Sequence, residues 1–140
     1  MDVKTVTLAA ASRPSFQTVV RSVHDFDTTV ACLKQAITAH DLWLIHEIDP
    51  QMLLRKAGLN IPAARQLLFF HPRYMKRLLA IDPAAVTEVP LKLVVLQAAD
   101  GTVDVHHPRV DLQLARYAGF DSLGGELADL GVAIATAVGA

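Results

Sequence analysis

The sequence predicts an α+β domain of about five strands covered by helices. Three observations carry that expectation. Apolar runs of strand length recur along the chain, helices are punctuated by Asp, Pro and Gly, and a hairpin signal sits at Asp100-Gly101. At 140 residues the chain is one domain by length and buries a core without staples. No repeat, low-complexity tract or linker divides it. Residues 1–13 read as a loose lead-in and residues 14–140 as a single domain.

Phe16 to Val23 is the first strand, rich in β-branched Thr18, Val19, Val20 and Val23. Asp27 is placed to cap the first helix, because its carboxylate accepts from free amides of the opening turn. Val30, Leu33, Ala36 and Ile37 follow at helical spacing and give that helix one buried face. Leu42 to Ile48 is a strand with apolar residues on both faces. Asp49-Pro50 opens a short helix that Gly58 closes, since proline suits the first helical position and glycine the left-handed residue after the last turn. Arg65 to His71 is a strand apolar on both sides, expected to be interior and covered on both faces. Pro72 starts a helix that must stop before Pro83.

Leu91 to Ala98 and Thr102 to His107 form a hairpin around Asp100-Gly101. A two-residue type I′ loop pairs Ala98 with Val103, Leu96 with Val105 and Val94 with His107, which makes one face nearly all apolar. A helix over Pro108 to Ala118 follows. The last helix, from Leu123, carries the stripe Leu123, Leu127, Leu130, Ile134 and Val138.

Read in order, Glu47-Ile48-Asp49, the Pro72 helix running into Asp82-Pro83, Val89-Pro90 and the Asp100-Gly101 hairpin ending near Pro108 resemble domain of unknown function 302, a widespread bacterial family without an established activity. The resemblance spans roughly Phe16 to Val138. It implies a curved antiparallel sheet covered by helices, similar to the TATA-box-binding-protein-like fold, and often a dimer. It implies no DNA binding, because fold does not carry function. Two positions depart from the pattern: His40-Asp41 follows the first helix where glycine is common, and His71 stands where a small or polar residue is usual.

Composition narrows the functional classes. Hydrophobic residues make up 52% and charged residues 19%, which is apolar for a small monomer and points to area buried between subunits. A net charge of −1 argues against a general nucleic-acid binder. Leu123 to Ala140 is too interrupted to span a bilayer, and the short apolar run Val6 to Ala11 does not make a signal peptide. Cys32 is the lone cysteine, so no intrachain disulfide is possible and a cytoplasmic location is expected.

With the last four strands as a meander, the carboxyl ends of the third and fifth strands share one end of the sheet. His71, His106 and His107 then approach each other beside the N-terminus of the Pro72 helix, with Arg73 adding charge. These four residues are the candidate site, for a small anionic ligand. Neither HxH nor HxxxH spacing occurs, so no metal site is expected, and no cofactor is indicated. Glu47 and Asp49 share a strand face as paired carboxylates do in acid/base sites, yet Asp49 is already explained as a helix cap. Arg73, Lys76 and Arg77 read as a solvated basic face, Cys32 as a small buried hydrophobe, and Trp43 as core. The function expected is a homodimeric ligand-binding or accessory domain without catalysis. The alternatives are a small enzyme using His71 with His106 or His107 as acid and base on an anionic substrate, and a protein–protein scaffold. His71, directly before Pro72, is also placed to cap the following helix.

Overall fold

The computed structural model describes residues 2–140. Its centre is a five-stranded antiparallel sheet in the order β2-β7-β6-β5-β3. These strands are Gln17–Arg21 (β2), Trp43–Ile48 (β3), Ala64–Phe70 (β5), Leu91–Gln97 (β6) and Val103–Pro108 (β7). The last four form the expected meander, and β2 returns to lie beside β7. A separate parallel pair joins β1 (Lys4–Thr5) to β4 (Leu59–Asn60). The lead-in, expected to be loose, is therefore tied down: Lys4 N donates to Gly58 O at 2.9 Å and Val6 N to Asn60 O at 2.7 Å.

Helices α1 (Phe26–Ala39) and α5 (Asp121–Thr136) pack on one face of the sheet, α1 against β6 and β3, α5 against β7, β2 and β6. Leu33, Ile37, Leu127 and Ile134 have no exposed surface there. Each such burial contributes about 1.5–3 kcal/mol relative to exposure. The cap of α1 is Asp25 and not Asp27: its carboxylate accepts from Thr28 N at 2.8 Å, and Asp27 falls inside the first turn. Helix α2 (Pro50–Lys56) has the expected Asp49 cap, and Gly58 follows with φ +76°. Helix α3 (Pro72–Ile81) ends before Pro83, where a 3₁₀ turn (Pro83–Glu88) leads to β6. The helix expected from Pro108 is shorter, α4 (Val110–Leu114), because Pro108 still belongs to β7.

Two strand expectations change. Strand β5 is interior, with Leu67 and Phe69 fully buried on one face, while on the other Gln66 and Leu68 are half-buried between the buried Ala64 and Phe70. Strand β3 is an edge, and its apolar residues are largely in the open. The pairing of β3 with β5 slips between Leu44↔Phe69 and His46↔Leu68, leaving Ile45 in a bulge.

The hairpin is also shifted by one residue. Ala98 N donates to Thr102 O at 2.8 Å and Gly101 N to Ala98 O at 3.0 Å, so the loop has three residues, Ala99 to Gly101. Gly101 alone of them adopts positive φ, +88°. This is a turn closed by a left-handed glycine, not a type I′ turn, which would need positive φ at Asp100 as well. Leu96 therefore faces Asp104 and Val94 faces His106. Leu93, Val95, Val103, Val105 and His107 form the buried face instead.

Candidate functional site

His71 ends β5 because the proline behind it has no N–H to give the ladder. Its backbone is extended, its Nδ1 accepts from Arg73 N at 3.1 Å, and it caps α3 as the sequence indicated. The indole of Trp43 stands edge-on to its ring, with centroids 5.1 Å apart. Arg73 turns away from any ligand position. Its guanidinium donates to the carbonyls of Asp41 and His40 and to the Asp41 carboxylate, and lies 4.6 Å from the Tyr74 ring centre. Those carbonyls belong to the turn closing α1, where a cation is favoured. Arg77 pairs with Glu126 of α5 at 2.8 Å, which holds the Glu126 carboxyl below its ordinary range. Of the three basic residues on α3, Lys76 is left facing a groove.

That groove, about 530 Å³, runs between β3 and α3. Phe70 and His71 form its floor, Trp43 and Ile45 one wall, and Met75 and Leu79 the other. Trp43 is 58% exposed, Ile45 55% and Leu79 45%. Trp43 is thus not the core residue it looked like in sequence. The doubly apolar Trp43-Leu44-Ile45 run was the available signal, since a strand without a polar face can be covered on both sides or left at an edge awaiting cover.

His106 and His107 do not join His71. His106 is level with Val94 and hence with Gln66, five residues short of His71. This separation is roughly 16 Å along the strands and about 10 Å across them. The two neighbouring histidines also point to opposite faces, as alternation requires. His107 is 1% exposed beneath α5: its Nδ1 donates to Lys92 O at 2.8 Å, and its Nε2 has no partner. Burial lowers its pKa, partly opposed by the Lys92 carbonyl. His106, 7% exposed, shares a hydrogen bond of 2.8 Å with Gln17 Oε1, and its Nε2 is likewise unpartnered. Burial lowers its pKa too, with Asp104 opposing and Arg13 assisting. The anion pocket built from His71, Arg73, His106 and His107 is therefore not assembled.

The carboxylate pair is similarly committed. Glu47 is bridged by Lys34 and by Arg65 at 3.0 Å, and the Lys34 bond chiefly holds its pKa down. Asp49 accepts from Met52 N at 3.2 Å as the α2 cap. Among the described residues, no three His, Cys, Asp or Glu side chains lie together as a metal would need.

With this geometry in hand, the chain can be set beside known proteins. A scan against protein families matches residues 17–138 to "Domain of unknown function DUF302". The chain belongs to the DUF302 family. Among solved structures, "Crystal structure of uncharacterized conserved protein DUF302 from Bacillus stearothermophilus" superposes with a TM-score of 0.82 at 16% identity, covering 89% of this chain and 99% of that one. At that identity the likeness speaks for the DUF302 fold alone. No curated protein matches the chain. No helix among the described residues is long and apolar enough to cross a membrane.

Proposed function

We propose that this DUF302 chain is a cytoplasmic, homodimeric ligand-binding domain without catalysis, and that its two copies meet at the β3–α3 groove. One observation carries the dimer: Trp43, Ile45 and Leu79 stay exposed around one concave apolar surface. Contiguous exposed apolar surface rimmed by polar residues is what marks interaction sites on small proteins. The groove and the exposed Trp43 that walls it belong to one continuous face of the chain. A two-fold axis can therefore bring each Trp43 to the other copy's groove, which is the self-complementarity an isologous contact requires. The Ile45 bulge interrupts the free edge of β3, so the contact is read as side-chain packing and not as an extended ladder.

The acid/base alternative needs His71 and His106 or His107 on one substrate, and their separation along and across the sheet favours binding over catalysis. Light scattering after size exclusion tests the dimer. The wild type should run as a dimer at micromolar concentration, and Trp43→Glu with Ile45→Glu as a monomer with an unchanged far-UV spectrum. A monomeric wild type, or a dimer that survives both substitutions, overturns the reading and leaves the groove to a partner of another kind.

A further inference from the structure

We propose that a second cleft, lined by the unpaired Lys92 and by Gln113 with its free side-chain amide, binds a small molecule bearing one carboxylate. The proposal rests on the binding-domain reading but not on the dimer, since this cleft shares no lining residue with the β3–α3 groove.

The cleft holds about 320 Å³ between the 3₁₀ turn, the starts of β6 and α4, and β5. That is the lower end of the range for small-molecule sites. Strand alternation puts Leu91 and Leu93 in the core and turns Lys92 to the less covered face, opposite Leu68. The Lys92 backbone is fixed, because its carbonyl accepts from His107. Lys92 is half-buried as a residue, yet no carboxylate lies within 4.0 Å of its ammonium among the described residues. The one acidic side chain lining the cleft, Glu88, is taken by Arg116. Gln113 bonds through its backbone only, which leaves a side-chain amide free to donate.

Charge and shape then select the ligand. Glu88 and Arg116 cancel, so Lys92 leaves a surplus of one positive charge, which a single carboxylate neutralises. A doubly charged phosphate would exceed it and sit near the Glu88 carboxylate. Leu68 and Val89 offer apolar wall to the rest of the molecule. A carboxylate carrying a compact apolar body fits both demands.

Amide NMR of the full chain tests this with three probes: benzoate, its neutral isostere benzamide, and inorganic phosphate. Benzoate should shift the Lys92 amide and the Gln113 side-chain signals saturably. Benzamide, and benzoate added to Lys92→Met, should each bind at least about tenfold more weakly, a difference of about 1.4 kcal/mol. Gln113→Ala, which removes only a rim amide, should weaken benzoate by a smaller factor if Lys92→Met fails to fold. The proposal is overturned by benzamide matching benzoate, by phosphate binding more tightly than benzoate, by variants that bind as wild type does, or by no saturable shift. Light scattering on the same samples reports the dimer independently, so failure of the cleft and failure of the dimer are read apart.

Discussion

His71 and His107 occupy the same local context, each a histidine before a proline at the end of a strand, and the fold treats them oppositely. His71 lies at the rim of the sheet. There its Nδ1 replaces a missing helical acceptor while its ring stays open to the groove. His107 lies one residue inside β7, under α5, and is closed off by Gly131, where an added Cβ would fall 1.9 Å from Nε2. The dipeptide alone does not separate these outcomes. What separates them is whether a helix crosses the face to which the imidazole points.

The largest effect should come from closing that crossing. Gly131→Ala forces α5 away from His107 and should cost about 3 kcal/mol in urea unfolding, at the upper end of overpacking penalties. His107→Ala combined with it should recover part of the loss, and purely additive losses would mean that the two residues do not constrain each other.

A pH series sharpens the same contrast. Burial holds the folded pKa values of His106 and His107 below their unfolded value near 6.5, so the unfolded chain takes up these protons first. Stability should be full above about pH 7 and fall as pH drops below about 6.5, by at most about 1.4 kcal/mol per unit for each histidine. Urea midpoints from pH 7.5 to 5 check this, and a flat profile would put both side chains in water. The smallest effect belongs to the rim. His71→Ala should remove the α3 cap and lower stability by about 1 kcal/mol, measurable by the same unfolding.

Much of the architecture was legible because punctuation and periodicity agreed. Asp49-Pro50, Gly58, Pro72 and Pro83 bound α2 and α3 where the residues themselves indicated. The hairpin register was not legible, and the reason is specific. Strand β6 carries Leu91, Leu93 and Val95 on one face and Val94 and Leu96 on the other, so a one-residue slip exchanges one apolar face for another. Only the conformation of Asp100 decides, and nothing in its identity forces it. The site failed for a related reason: the register of β5 on β6 was not legible either, and β5 runs on past the level of His106, which leaves His71 five residues beyond it. The helix-capping role of His71 was readable because it depends on neighbours in sequence. The Lys92 cleft was not, because it needs four elements that come together only in the fold.

Asp41 shows how a departure from pattern is accommodated. It is the only described non-glycine residue with positive φ, +56°, and it stands at the turn after α1 where the resemblance led one to expect glycine. Arg73 grips it from the first turn of α3, bonding its carbonyl and carboxylate together with the carbonyl of His40. The end of α1, the start of β3 and the start of α3 are thereby fastened at one point. Because β3 and α3 are the two walls of the groove, this rivet fixes the spacing between them before anything arrives. An occupant finds its seat already shaped, and the ordering entropy that a loose pair of walls would forfeit on contact has been spent during folding.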